Sequence, residues 1–194
     1  MTEKKLRVLF VGNSYTYFHH MPQTAFTETA KAAGITVEVT EVTHGGYKLC
    51  WFADAENEEG KRLRETVAGQ HFDCAVLQEQ SCNPIKDEKE FLAGVAGVKA
   101  LISADRFVLY ATWGRNDGSK ELEELGLTRQ EMAEKLSEAY NKAGRLYGMA
   151  VAEVGKAFLT CPDQDALYDP DKSHPSAQGS ALAAKVIFQT VIAE

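Results

Sequence analysis

Runs of β-prone residues, each closed by a turn, recur along the chain and predict five strands. The first run, residues 6–11, is mostly apolar and stops abruptly at a Gly-Asn-Ser turn, which favours a strand buried on both faces of a sheet. Residues 35–42 alternate between apolar and polar side chains, so this strand has one wetter face and is expected near the sheet edge. The remaining strands are predicted at residues 72–78, 106–113 and 149–154.

Helical periodicity fills the segments between these strands. An apolar stripe that begins at Phe91 and Val95 marks one helix. A capping box at residues 128–131 opens another, and the last helix is predicted to start near Pro175. Strands and helices therefore alternate five times, a pattern that predicts a doubly wound, parallel α/β sheet in one domain over residues 1–194.

Composition and charge exclude several classes of function. Of the 194 residues, 44% are hydrophobic and 25% charged, as in globular proteins, and the net charge of −7 argues against a nucleic-acid-binding surface or a basic membrane patch. No apolar stretch approaches the roughly 20 residues that cross a bilayer, and no secretory signal precedes the first strand, so we expect a cytoplasmic protein. The four cysteines form no CxxC pair and are predicted to be reduced thiols; we expect no structural metal and no cofactor.

Polar loops follow four of the predicted strands. Ser14 comes after the first strand, Gly46 after the second and the segment 78–83 after the third. Asp171 and His174 lie in the loop that follows the fifth strand. Because the carboxyl ends of parallel strands meet at one edge of a sheet, we expect these groups to converge there.

This combination of residue types is what acyl transfer needs. A serine hydroxyl becomes a strong nucleophile only when a neighbouring imidazole takes its proton, and that imidazole needs a partner to orient it. His174 is the candidate base and Asp171 its partner, because an Asp-x-x-His step holds both within one turn. The N–H groups of Ser14 and Gly46, together with a side-chain amide, are candidate donors to the developing oxyanion.

At these residues the sequence resembles the SGNH hydrolases, also known as the GDSL lipase/esterase family. Residues 12–14 (Gly-Asn-Ser) are similar to the family's nucleophile block, and residues 171–174 (Asp-Lys-Ser-His) to its Asp-x-x-His block, in the same order along the chain. The resemblance implies that Ser14 is the nucleophile and that Gly46 belongs to the oxyanion hole. It also implies a flavodoxin-like, three-layer α/β/α sandwich around a five-stranded parallel sheet.

Two positions depart from the family pattern. Asn13 stands where the family usually has aspartate, and the usual Gly-x-Asn-Asp block after the third strand is absent. Asn83 has the best offset from that strand for the oxyanion-hole asparagine of the family, whereas Gln80 offers an alternative amide. The third oxyanion donor is therefore Asn83 or Gln80.

The sequence leads to two functional hypotheses from different classes. The first is a serine ester hydrolase acting on short acyl or acetyl esters, with Tyr15, Tyr47 and Trp113 as aromatic walls of an open, shallow pocket. Its substrates are expected to be small-molecule esters, or acylated carbohydrates as the resemblance implies, with neither nucleic acid nor membrane as a partner. The second is a non-catalytic flavodoxin-like module that binds a phosphate or nucleotide at the same edge, although the chain has no P-loop or Gly-x-Gly-x-x-Gly run.

Overall fold

In the computed structural model, which describes residues 5–193, five parallel strands form one sheet in the order β2-β1-β3-β4-β5. The strand bounds are β1 Leu6–Gly12, β2 Val37–Thr43, β3 Phe72–Leu77, β4 Ala104–Ala111 and β5 Ala150–Glu153. β1 lies between β2 and β3, with Leu6 opposite Val37 and Val8 opposite Cys74. The alternating strand β2 is at an edge of the sheet, as its polar face predicts.

Helices connect the strands and cover both faces of the sheet. Within the described residues the α-helices are α1 Ser14–Tyr17, α2 Thr27–Ala32, α3 Leu49–Ala53, α4 Glu58–Val67, α5 Asn83–Lys86, α6 Glu88–Leu101, α7 Lys120–Leu125, α8 Arg129–Tyr147, α9 Val154–Thr160 and α10 Ala177–Ile192. A π-helical turn at Pro22–Phe26 and two 3₁₀ turns, Phe18–His20 and Asp165–Leu167, supplement them. No helix between residues 5 and 193 is long and apolar enough to span a bilayer.

Two hydrophobic cores lie on opposite faces of the sheet and confirm the predicted three-layer sandwich. Leu9 and Val11 of β1 belong to the core that includes apolar side chains of α3, α4, α6 and α8. The alternate residues Val8 and Phe10 belong to the core formed with α2, α9 and α10. Both sets are fully buried, so β1 is the doubly covered central strand that its apolar sequence indicates.

The helix boundaries agree with the sequence where a cap is encoded and differ where the helix is short. The Thr128 hydroxyl accepts the N–H of Glu131, and the Glu131 carboxylate accepts the N–H of Thr128, as a capping box requires. The last helix begins two residues after Pro175, behind the N-cap Ser176. The helices α3, α7 and α9 are not indicated by the sequence pattern, because five to seven residues hold too few apolar repeats to reveal a helical period.

Candidate active site

Ser14, His174 and Asp171 form one hydrogen-bonded chain at the carboxyl edge of the sheet. Ser14 begins α1 directly after the central strand, and its Oγ lies 2.8 Å from His174 Nε2. His174 Nδ1 donates to Asp171 Oδ2 at 2.5 Å. Because a carboxylate only accepts hydrogen bonds here, Nδ1 carries the proton of the neutral ring and Nε2 is free to accept the serine proton. Residues 160 positions apart in the sequence are thus brought into direct contact.

Asp171 also fixes the backbone of the loop that carries the histidine. Its Oδ1 accepts the N–H groups of Ser173 and His174, each at 2.9 Å. Partial burial alone would raise the pKa of Asp171, but the hydrogen bonds from the side chain and backbone of His174 and from the Ser173 backbone outweigh it and lower the pKa. The carboxylate is therefore held ionised, as a partner for an imidazolium must be.

A cavity of about 400 Å³ opens beside these side chains. Polar groups from all four predicted loops line it, so the loops converge at one edge of the sheet as the parallel topology requires. Its lining consists of Asn13, Ser14, Tyr15, Gly46, Gln80, Ser81, Arg115, Glu121, Asp171, Ser173 and His174.

Three N–H donors border this cavity. Among the described residues, neither the backbone N–H of Ser14 nor that of Gly46 has an acceptor. Gly46 has a φ of +72°, a left-handed conformation that favours glycine at this position. The third donor is the side-chain amide of Gln80, whose Nε2 makes one long hydrogen bond of 3.3 Å, to Ser81 Oγ. Donors in such a group can stabilise an oxyanion.

Gln80 lines the cavity, whereas Asn83 does not. Gln80 Oε1 accepts the N–H groups of Cys82 and Asn83 at 3.0 and 3.1 Å, which fixes the side chain at the start of α5. Asn83 is the first residue of α5, is buried and does not line the cavity. The strand ends at Leu77, and the chain enters a short helix at Asn83, so of the two candidate amides only that of Gln80 belongs to a residue that lines the cavity.

The turn that holds Ser14 is tied to its neighbours on both sides. Gln78 Oε1 accepts the N–H of Asn13 at 2.8 Å and the Thr16 hydroxyl at 2.9 Å. A Cβ on Gly12 would lie 2.6 Å from Thr16 Oγ1 and 2.7 Å from Gln78 Oε1, so only glycine permits this approach. Asn13 caps α1 through Oδ1 and donates from Nδ2 to the Tyr47 carbonyl at 3.1 Å, which joins the serine turn to the Gly46 loop.

A buried carboxyl group, Glu79, links two of the donor loops and was not singled out by the sequence analysis. It accepts the N–H of Gln80 at 2.6 Å and the N–H of Leu49, three residues after Gly46, at 3.2 Å. Burial raises the pKa of Glu79 to about 8, against the opposing effect of the hydrogen bonds from the Gln80 and Leu49 backbones. The available signal was an acidic residue placed directly after an apolar strand, where both neighbouring layers bury it.

The three aromatic residues predicted as pocket walls have different positions. Tyr15 lines the cavity and its hydroxyl lies 2.9 Å from Ser173 Oγ; burial raises its pKa to about 12, opposed by nearby Arg115. Trp113 is fully buried between Tyr15 and Phe158, so its prediction as a wall is wrong. Its indole N–H donates to the Ser173 carbonyl at 3.1 Å, which supports the histidine loop from beneath.

Tyr47 lies next to the cavity without lining it. Its ring packs against His44 at 4.1 Å and Trp51 at 5.1 Å between centroids, and only its backbone reaches the serine turn. The sequence analysis did not identify Arg115, which lines the cavity, donates to Ser81 Oγ at 2.9 Å and lies 3.7 Å from Glu121. Arg115 follows the fourth strand in a polar loop, where nothing in the local pattern distinguishes a cavity residue from a solvated one.

The geometry is suited to acyl transfer. A hydroxyl contacts an imidazole, the imidazole contacts a carboxylate, and residues with N–H donors line the cavity beside them. Among residues 5–193, no group of three or more His, Cys, Asp or Glu side chains is arranged to hold a metal ion.

Comparison with solved structures adds family information. A protein from Slackia heliotrinireducens classed with the SGNH hydrolases is 30% identical to this chain, with a TM-score of 0.82 over 96% of this chain and 99% of its own. A lipase/acylhydrolase from Enterococcus faecalis shares the fold at 16% identity, with a TM-score of 0.73 over 95% and 94% of the two chains. A carbohydrate acetylesterase from Sinorhizobium meliloti does so at 14% identity, with a TM-score of 0.65 over 96% and 98%. No protein-family model matches the chain, and no curated protein is significantly similar to it in sequence.

Proposed function

The chain is a hydrolase of the SGNH family, which includes the GDSL-like lipases and esterases, and from this premise we propose that it is a serine ester hydrolase with a Ser14–His174–Asp171 triad. The observation that carries the proposal is the 2.8 Å contact between Ser14 Oγ and His174 Nε2. The family relation supports the reaction class, and this contact supports Ser14 as the nucleophile and His174 as the base.

In the proposed mechanism, Ser14 Oγ attacks the ester carbonyl carbon while its proton passes to His174 Nε2. The negative charge that forms on the carbonyl oxygen is accepted by the N–H groups of Ser14 and Gly46 and by Gln80 Nε2. Asp171 stabilises the imidazolium through the 2.5 Å hydrogen bond to Nδ1. The intermediate then collapses to an acyl-enzyme, and His174 gives its proton to the departing alkoxide.

Hydrolysis of the acyl-enzyme repeats these steps with water as the nucleophile. His174 Nε2 takes a proton from the water molecule, the resulting hydroxide attacks the acyl carbon, and the same three donors hold the second oxyanion. The protonated His174 then returns its proton to Ser14 Oγ as the carboxylic acid leaves. Each proton that the imidazole accepts is given back, so the enzyme ends the cycle unchanged.

For the substrate we propose a short acyl group, such as acetyl, on a polar alcohol such as a carbohydrate. The cavity of about 400 Å³ presents the side chains of Gln80, Ser81, Arg115 and Glu121, which offer both donors and acceptors to hydroxyl groups. The fold neighbour from Sinorhizobium meliloti, a carbohydrate acetylesterase, is in keeping with this substrate class. A chain-length series of p-nitrophenyl esters should give the highest kcat/KM at acetyl and a steep fall by octanoyl.

The alternative, a non-catalytic phosphate- or nucleotide-binding module, leaves the site unexplained. Phosphate binding at a strand edge uses N–H groups and cations and needs no hydroxyl–imidazole–carboxylate chain. The hydrogen bonds of Ser14, His174 and Asp171 therefore favour the esterase.

The decisive kinetic test compares p-nitrophenyl acetate hydrolysis by wild type, Ser14→Ala and Ser103→Ala. Ser103 is an exposed serine that also contacts a histidine, at the opposite edge of the sheet, which makes it a matched control. We expect Ser14→Ala to lower kcat by about 10⁴-fold or more, because triad members act as a unit. Ser103→Ala should remain within twofold of wild type. Retention of more than a tenth of the wild-type kcat by Ser14→Ala would contradict the proposal.

A further inference from the structure

One face of the His174 imidazole is covered by an aromatic ring. Phe18 stacks on it with the ring centroids 4.1 Å apart and the planes only 9° from parallel. Phe18 follows α1, the helix that begins at Ser14, so the same short segment carries the nucleophile and a wall for the base. Tyr15 contacts the imidazole as well, at 5.6 Å and nearly edge-on.

The residue after Phe18 contacts the backbone that follows the base. His19 Nε2 lies 3.1 Å from the carbonyl oxygen of Pro175, the residue next to His174. A carbonyl oxygen only accepts, so His19 donates this hydrogen bond. Phe18 and His19 thus hold His174 from two directions, one at the ring and one at the chain.

The backbone of the turn that carries Phe18 and His19 is strained. His19 and His20 both have a φ of +53°, a left-handed conformation that is uncommon for non-glycine residues. Thr24 Oγ1 lies within 3.1 Å of the His19 carbonyl and 2.8 Å of the His20 carbonyl, and these contacts stabilise the turn. Such strain persists where the surroundings over-determine the conformation, and it is found most often at functional sites.

We propose that Phe18 and His19 are positioning residues for His174. The inference rests on the proposed function, because it assigns a role relative to the base. The flat ring of Phe18 restricts rotation of the imidazole about its Cβ–Cγ bond and keeps Nε2 directed at Ser14. Its π face also attracts the positive charge that the ring acquires during the reaction. His19 fixes the backbone at Pro175, so Phe18 restrains the imidazole ring of His174 while His19 restrains the main chain next to it.

The first test uses Phe18→Leu, which keeps apolar bulk but removes the flat face, and Phe18→Tyr, which restores an aromatic face. We expect Phe18→Leu to lower kcat for p-nitrophenyl acetate about 10-fold with KM within twofold, because small misplacements of a catalytic group are costly. Phe18→Tyr should return kcat to within about threefold of wild type. Thermal unfolding of each variant, measured alongside, separates lost positioning from lost stability.

NMR spectroscopy can detect the contact between Phe18 and His174 without relying on turnover. Ring-current shielding from Phe18 should move the His174 ring-proton resonances upfield in wild type, with the signals assigned by comparison with His174→Ala. In Phe18→Leu these resonances should move downfield, and in Phe18→Tyr they should stay near the wild-type position. A shift confined to His174 among the chain's five histidines would show that the two rings are stacked in solution, and the loss of kcat at constant KM then tests the positioning role.

The second test uses two adjacent histidines as a matched pair. His19→Gly and His20→Gly relieve the same positive φ, but only His19→Gly loses the hydrogen bond to the Pro175 carbonyl. We expect His19→Gly to lower kcat about three- to fivefold and His20→Gly to leave it unchanged.

Each outcome decides the matter. Wild-type kcat in Phe18→Leu, or His174 resonances that do not move in that variant, would overturn the role of Phe18. Equal effects of His19→Gly and His20→Gly would overturn the role of His19. A wild-type protein that hydrolyses no ester would instead overturn the proposed function, while the resonances would still report whether Phe18 holds the imidazole.

Discussion

Two groups of serine, histidine and aspartate side chains lie at opposite edges of the sheet. The first, at the carboxyl ends of the strands, is the triad proposed above, and the second consists of Ser103, His71 and Asp105 where β3 and β4 begin. In the second group His71 Nδ1 lies 2.8 Å from Ser103 Oγ, and His71 Nε2 lies 2.9 Å from Asp105 Oδ1. Contact distances alone therefore do not distinguish a catalytic group from a surface cluster.

The surroundings of the two groups do distinguish them. The side chain of His71 is 56% exposed, against 26% for His174, so its hydrogen bonds compete with water. Ser103 follows the carboxyl end of α6, where the backbone presents carbonyl groups and a partial negative charge. Ser14 instead begins a helix, and its own backbone N–H has no acceptor among the described residues. In the proposed mechanism, catalysis therefore requires burial and donors for the oxyanion in addition to the three residue types.

The largest difference between the two groups is expected when the histidine of each group, His174 or His71, is replaced by alanine. We expect His174→Ala to lower kcat for p-nitrophenyl acetate by about 10⁴-fold or more, nearly as much as Ser14→Ala, because base and nucleophile act as a unit. His71→Ala should stay within twofold of wild type. Full activity in the His174 variant would show that the base has been assigned wrongly.

Replacing Asp171 should lower kcat more than replacing Asp105, although the loss should be smaller than that caused by replacing His174. Asp171→Asn removes the charge that stabilises the imidazolium and disturbs the ring tautomer, so we expect about a 10³-fold loss of kcat. Asp105→Asn, at an exposed side chain, should have no measurable effect on turnover. Equal activities of the two variants would contradict the distinction between the edges.

The proposed oxyanion donors at the carboxyl edge can be tested at Gln80. Gln80→Glu keeps an oxygen to accept the N–H groups of Cys82 and Asn83 but replaces the Nε2 donor, so we expect about a 100-fold loss of kcat with little change in Tm. Asn83→Ala is the comparison variant, because Asn83 lies outside the cavity lining. A larger loss of kcat in Asn83→Ala than in Gln80→Glu would return Asn83 to the oxyanion hole.

Of the substitutions at the carboxyl edge, Glu79→Gln is expected to change kcat least. Its main effect should be on the pH dependence of the free energy of unfolding. This carboxyl is fully buried beside the donor loops, whereas Asp105 at the other edge is 63% exposed. The pKa of Glu79 is raised from 4.5 to about 8, so between these pH values the folded state binds more protons than the unfolded chain. The free energy of unfolding therefore falls as pH rises through this window, by at most about 1.4 kcal/mol per pH unit.

Urea denaturation at pH 5, 7 and 9 measures this dependence. Glu79→Gln removes the titrating group, so the variant should gain stability relative to wild type as the pH rises. Asp105→Asn should leave the wild-type slope unchanged. Parallel curves for wild type and Glu79→Gln would show that burial of Glu79 does not couple its protonation to folding.

Many elements of this fold can be predicted from local patterns in the sequence. The apolar central strand, the alternating edge strand and the capping box at Thr128 each follow from short-range spacing and were predicted correctly. The convergence of Ser14 and His174 follows from parallel topology, because the carboxyl ends of all strands share one edge. That all 194 residues form a single domain stays a prediction.

The residues that were misjudged or missed depend on packing between distant segments. Trp113 follows a strand as a pocket wall would, yet the neighbouring Phe158 covers it, and nothing near Trp113 in the sequence reveals that. Phe18 and Glu79 acquire their contacts only after the chain has folded, so no local spacing announces them. The order of loops is thus readable from the sequence, whereas the side chains that support the site are not.

Fluorophosphonate labelling followed by peptide mapping tests the central claim most directly, because it asks which serine is activated. The account predicts one adduct, on Ser14, that is absent from Ser14→Ala and His174→Ala and persists in Ser103→Ala and His71→Ala. An adduct on Ser103, or a wild-type protein that takes up no label, would contradict it.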